Sequence, residues 1–170
     1  MSVDLYIVRH APAGHADSAV WPDDAERPLT ADGISRFREA ARGLRRLVPS
    51  VDVVLSSSFA RAWQTAELLH EVAGWPDPTR CEELEVGRTP ASAAAVVAAR
   101  TERSVAVVGH EPHLSRLASL LCTGSEEELR LELKKGAAAF LGFDGTAEPG
   151  TACLHWTVPP KILRAVNGER

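Results

Sequence analysis

Two histidines and two arginines hold positions in this 170-residue sequence where chemistry is commonly done. Arg9 and His10 follow the apolar run "VDLYIV", His110 follows "SVAVVG", and Arg61 comes shortly after the serines of "LSSSFAR". A neutral imidazole is a nucleophile or proton carrier near pH 7, and a guanidinium is a planar fork for phosphoryl or carboxylate oxygens. Gathered at one point, the four make a cationic pocket suited to a phosphoryl group. Taken singly, each has a plainer explanation. A histidine after a strand is often satisfied locally, and an arginine on a helix usually faces water. The issue is whether the fold brings positions 9, 10, 61 and 110 together.

Other chemistries fit less well. His10 and His15, and His110 and His113, form two pairs, but the arginines expected beside them would repel a divalent cation, and no H-E-x-x-H spacing occurs. No metal and no cofactor are expected. Ser56, Ser57 and Ser58 lack the G-x-S-x-G elbow of a serine nucleophile, so they read as turn and capping residues.

The elements that would position these residues alternate. Val3–Val8 reads as a buried strand, and residues 11–29, with three prolines and several aspartates, as a long loop. Thr30 caps a helix whose Ile34, Phe37, Ala41, Leu44 and Val48 recur at helical spacing. Its arginines (36, 38, 42, 45 and 46) form a solvated face or a docking surface for an acidic partner. A strand over residues 51–56 leads to a helix capped by Ser58 and ending near Gly74. "TRCEELEV" reads as a strand, and Thr89 caps an alanine-rich helix. A strand ending at Gly109-His110 precedes a helix with Pro112 in its first turn. "LRLEL", "AAAFLGF" and "TACLHWTV" read as three further strands, and the tail as one helical turn. Such alternation predicts a three-layer α/β/α sandwich in one domain, 1–170, with a mostly parallel central sheet and an antiparallel edge strand. In such sheets ligands bind beyond the carboxyl ends of the strands, where Arg9, His10, Arg61 and His110 all fall.

Composition excludes several classes. A net charge of −4 argues against a nucleic-acid binder. Sixteen of the 19 basic residues are Arg and three are Lys, a bias that Arg-rich codon usage also produces. Cys81, Cys122 and Cys153 form neither a disulfide framework nor a zinc pattern, which fits a reducing cytoplasm. No apolar run approaches the roughly 20 residues of a membrane span, no signal peptide is evident, and no apolar stripe suggests more than a monomer.

Three motifs then resemble one family. "VRHAPAG", "SSSFARAWQTAE" and "VVGHEPHLS" look like the signatures of the histidine phosphatase superfamily, whose fold is called phosphoglycerate mutase-like. "DAERPLTADG", "LKKGAAAFLGF" and "CLHWTVPPKIL" resemble its SixA-type phosphohistidine phosphatases, so the likeness runs from about residue 3 to residue 163. The resemblance implies that His10 is the nucleophile and forms a phosphohistidine intermediate. It implies that Arg9, Arg61 and a protonated His110 bind the phosphoryl oxygens. It implies a phosphorylated protein substrate, such as a histidine phosphotransfer domain. Many members use a glutamate as general acid. Glu83 and Glu85, on one face of the expected strand, are the candidates here, with Glu85 favoured as nearer its end. Only Val86–Arg88 separate that strand from the next helix cap, too few for a lid, so the site should be open. His15 and His113 are candidate rim residues. The competing readings are a small-molecule phosphomonoester or nucleotide phosphatase, and a binding module without turnover.

Overall fold

Six strands and five helices build the molecule in this computed structural model, which describes residues 2–168. The strands are β1 (Ser2–Arg9), β2 (Val53–Ser56), β3 (Pro78–Arg80), β4 (Ser104–Gly109), β5 (Ala138–Asp144) and β6 (Ala152–Val158). They form one sheet in the order β3-β2-β4-β1-β5-β6. The first four are parallel, and β5 runs antiparallel to both β1 and β6. The expected antiparallel pairing therefore lies at one edge, with β5 reversed and β6 outermost.

The central strands alternate between two buried faces. On β1 and β4, Leu5, Ile7, Val105 and Val107 enter one apolar cluster, with Leu114, Leu117 and Leu121 of α4 (His113–Thr123) and Ala93, Ala94 and Val97 of α3 (Pro90–Ala98). Val8, Ala106 and Val108 enter the other, with Phe37 and Leu44 of α1 (Ala31–Leu47) and Ala62 and Ala66 of α2 (Ala60–Leu68). Helices cover both faces, as parallel strands require.

The caps at Thr30 and Thr89 form, each hydroxyl accepting from an N–H three residues on. α2 runs on through a π turn, Leu69–Ala73, to Gly74 in the left-handed region. Other expectations differ. Ser58 does not cap α2; its hydroxyl donates to the Glu85 carboxylate instead. "LRLEL" forms no strand, because side chains take its backbone groups: Arg9 donates to the Leu133 carbonyl and the Leu129 N–H donates to Ser119. The tail is a two-turn helix, α5 (Pro160–Asn167), not one turn. It lies so close to α1 that a Cβ at Gly43 would stand 1.8 Å from the Leu163 carbonyl oxygen.

Candidate active site

Register alone brings the first motifs together. Arg9 pairs with Gly109 at the carboxyl ends of β1 and β4, and the His10 N–H donates to the Gly109 carbonyl (3.0 Å). The Ser57 N–H, just past β2, donates to the Val108 carbonyl (3.0 Å). Gly136 closes this edge. Its N–H reaches the carbonyls of Arg9 (3.2 Å) and His10 (3.0 Å), and its φ of 82° favours glycine.

The motif "RAWQTAE" then ties α2 to the same edge. Thr65 Oγ1 donates to the Arg61 carbonyl (2.7 Å) and accepts from the Ala11 N–H (2.9 Å). Gln64 Oε1 accepts from the Leu29 N–H (2.8 Å), which holds the end of the 11–29 loop. Positions 61, 64 and 65 share one helix face, so one turn of α2 fixes Arg61, the loop and the residue after His10.

His10 is buried, and its Nδ1 lies 2.7 Å from the Ala11 carbonyl. A carbonyl can only accept, so Nδ1 carries the hydrogen and Nε2 keeps its lone pair. Burial pushes the His10 pKa down to about 4, helped by the charges of Arg61, Arg9 and Lys135, against the pull of the Ala11 carbonyl. The ring is neutral at pH 7 and is a nucleophile at Nε2.

His110 faces it at 5.3 Å between ring centroids. Its Nε2 lies 2.8 Å from Ser57 Oγ, and its Nδ1 is buried without a partner. The expectation of a protonated His110 is corrected: burial first, then the proximity of His10, Arg61 and His113, drives its pKa down to about 2. Two imidazoles and two guanidiniums in one dry site cannot all be charged, so the imidazoles give way.

Arg61 is buried, with Nη1 on the Asp24 carbonyl (2.9 Å) and Nη2 on the Asp24 carboxylate (3.0 Å). A short 3₁₀ turn, Asp24–Glu26, within the long loop presents Asp24, and Arg27 binds its other oxygen (2.8 Å). The Arg27 hydrogen bond holds the Asp24 carboxyl below the usual range. Arg9 is half-buried, with Nη1 on the Leu133 carbonyl (2.8 Å) and Nε unpartnered.

The remaining candidates separate. "TRCEELEV" is a strand only to Arg80; residues 82–84 turn as a 3₁₀ helix, so strand alternation does not relate Glu83 to Glu85. Burial of Leu84 drives that turn. Glu83 accepts from the Cys81 thiol (3.3 Å), while Glu85 reaches Ser58, next to Ser57 and His110. His15 is exposed in the loop. His113 is not at the rim. It is 7% exposed, with neither ring nitrogen partnered. Sequence reasoning missed Asp24, Thr65, Lys135 and Gly136, and gave Ser57 only a turn. The i+3, i+4 spacing from Arg61 could have found Thr65; nothing local marks Asp24. No cluster of three or more metal-ligating side chains occurs among the described residues.

The model of the histidine phosphatase superfamily, branch 1, matches residues 5–88. The structure of a putative phosphohistidine phosphatase SixA from Nakamurella multipartitia is 30% identical with a TM-score of 0.76, over 94% of this chain and 97% of that one. This chain belongs to the histidine phosphatase superfamily. The phosphohistidine phosphatase SixA of Escherichia coli K12 is 28% identical over 169 residues, 95% of this chain and 97% of that protein. A structure of the protein histidine phosphatase SixA complexed with tungstate matches with a TM-score of 0.82 at 28% identity, over 95% of this chain and 99% of that one. The fold is phosphoglycerate mutase-like, the likeness is to SixA-type members, and the chain is a phosphatase.

Proposed function

We propose that this phosphatase removes phosphoryl groups from phosphohistidine carried on another protein. The His10 Nε2 lone pair attacks phosphorus as the bond from phosphorus to the substrate's imidazole nitrogen breaks. That nitrogen leaves with the bonding pair and takes a proton from solvent. Water then attacks the phosphorus on His10, releasing inorganic phosphate and restoring the neutral ring. Arg9 and Arg61 hold the phosphoryl oxygens, and His110 and Ser57 offer further polar atoms, so catalysis rests on fixed charge and position. A phosphoryl dianion beside His110 favours its protonated form, which would restore a third cation during the reaction.

The observation that carries this reading is the His10 ring, neutral and fixed by Ala11 among the two arginine forks. The connection Cys81–Arg88, from the end of β3 to the Thr89 cap, holds a single 3₁₀ turn, and its shortness supports an open site that a protein surface can reach. A histidine phosphotransfer domain fits such a site, and the setting is cytoplasmic, with the phosphatase acting as a monomer, a single domain over 1–170. Among the described residues no helix is long and apolar enough to cross a membrane.

A second reading, a small-molecule phosphomonoester phosphatase, is favoured by Glu85 at Ser58, where an acid could serve an alkoxide leaving group. Hydrolysis of a phosphohistidine protein compared with that of p-nitrophenyl phosphate and sugar phosphates decides between the two. The first reading expects the phosphoprotein to turn over faster; much faster monoesters would overturn it.

A further inference from the structure

All three lysines of this chain lie around one cavity. It has a volume of about 420 Å³, and Arg9, Arg36, Lys134, Lys135, Lys161 and Arg164 line it. Glu132 is the one carboxylate among the lining residues. In a protein of net charge −4, this is a marked local excess of positive charge.

The cavity adjoins the catalytic edge. Arg9 belongs to both, Gly136 binds the backbone of Arg9 and His10, and the Lys135 charge is felt at the His10 ring. The cations are also unspent. Arg36 pairs with Asp32 on the exposed side of α1, but Lys134, Lys135, Lys161 and Arg164 take part in no ion pair among the described residues. Lys161 stands in the first turn of α5, which contains no acidic residue. A cation there opposes the helix dipole, so stability of α5 does not explain it. The same dipole adds to the positive potential of the cavity.

We propose that this cavity binds acidic side chains that flank the phosphohistidine of the protein substrate; this rests on the function proposed above. The cations come from four segments, β1, α1, the 134–136 turn and α5, rather than converging on one point. Lysine ammoniums are compact charges on long stems that suit scattered carboxylates. Glu132, in their midst, disfavours a compact polyanion such as a small polyphosphate. While phosphorus sits at His10, carboxylates beside it on the partner surface reach the cavity past Arg9.

Two phosphohistidine peptides of equal length test this, one with aspartates and glutamates beside the phosphohistidine and one with neutral residues. The wild type should prefer the acidic peptide by about tenfold in kcat/KM, as several exposed charge pairs together supply. The preference should lie in KM and fade as salt is raised. The variant Lys134→Gln/Lys161→Gln/Arg164→Gln should lose it, yet hydrolyse phosphoimidazole within about twofold of wild type, which also reports that it is folded. No preference in the wild type, or one that survives in the variant, would overturn the proposal. If neither peptide is hydrolysed, the phosphohistidine reading fails on its own. Titration of the unphosphorylated acidic peptide then decides this inference: binding by wild type and not by the variant upholds it, and equal or absent binding ends it. Binding of inorganic tripolyphosphate but not of the peptide would also overturn it.

Discussion

The two ends of the same parallel strands are finished in opposite ways. At the amino ends of β1, β2 and β4 the polar groups satisfy one another. The Asp52 carboxylate accepts from the N–H groups of Arg103 (3.1 Å) and Ser104 (2.9 Å), Ser104 Oγ accepts from Asp52 N–H (2.9 Å), and the Arg103 carbonyl accepts from Asp4 (2.7 Å). At the carboxyl ends they do not. The buried side-chain atoms that lack a partner among the described residues are Arg9 Nε, Arg61 Nε, His110 Nδ1 and both ring nitrogens of His113. All belong to the site or to the helix that starts three residues after His110. Each such group costs roughly 1–3 kcal/mol. One end holds the sheet together, and the other keeps polar groups in reserve for a ligand.

The largest break in this comparison comes at His10. His10→Ala should reduce turnover by roughly 10⁴-fold or more, as loss of a covalent nucleophile does. It should leave the thermal midpoint unchanged or higher, because a buried, desolvated ring is removed. Single-turnover assays with calorimetry check both. Substantial residual turnover would reject the nucleophile assignment.

Arg61 comes next. Arg61→Ala should cost about 10²–10³-fold in kcat, the usual effect of removing one fixed donor from a transition state. Arg61→Lys should recover only part, because a lysine offers one point charge in place of a fork. Steady-state kinetics on a phosphohistidine protein reads the difference. Equal activity in Arg61→Ala and wild type would make Arg61 a structural anchor of the Asp24 loop.

These residues were legible in the sequence to different degrees. The strand ends at Arg9, His10 and His110 could be read because short β-branched runs stop abruptly at polar residues. Arg61 could be read because its helix follows a strand directly. The fold class followed from alternation of these elements. What could not be read depends on contacts across the chain. Asp24 is one acid among several in a proline-rich loop, and only the folded 3₁₀ turn aims it at Arg61. "LRLEL" has a strand's pattern, but its backbone is taken by Arg9 and Ser119. The charge on His110 could not be read either, since burial decides it, with the Arg61 guanidinium acting in the same direction.

Acid probes the reserved end directly. Unfolded histidine takes up a proton near 6.5, whereas folded His10 does so only near 4 and His110 only near 2. Between those values the unfolded chain binds more protons, so stability falls as pH is lowered below about 6.5. His10 alone contributes on the order of 2–3 kcal/mol by pH 4. Denaturation midpoints across pH 4–8 should fall less steeply in His10→Ala than in wild type. The same low pKa should keep the nucleophile active in weak acid, with the acidic limb of kcat/KM near pH 4 rather than 6.5.

The satisfied end should respond the other way. Asp52→Ala removes the acceptor of two backbone N–H groups and should lower stability by about 1–2 kcal/mol, softened by the exposure of that site. Turnover per folded molecule should not change. A loss of kcat at intact stability would mean that the two ends are coupled through the sheet.

Glu85 sets the finest test, because it stands where the two readings of function part. Its carboxylate takes the Ser58 hydroxyl beside the site, close enough to suggest an acid, yet the bond also positions the turn that precedes α3. The leaving group decides which role matters. A departing imidazole is stable once it takes a proton from water, whereas a departing alkoxide needs a proton as the bond breaks. Glu85→Gln keeps the shape and a hydrogen-bond acceptor but cannot give the proton. It should change hydrolysis of a phosphohistidine protein by about twofold or less, and lower that of an alkyl phosphomonoester by about 10²-fold or more if Glu85 is its acid. An equally large loss on both substrates would make Glu85 general to the reaction, and the carboxyl-terminal edge would then hold a proton donor as well as its forks and imidazoles.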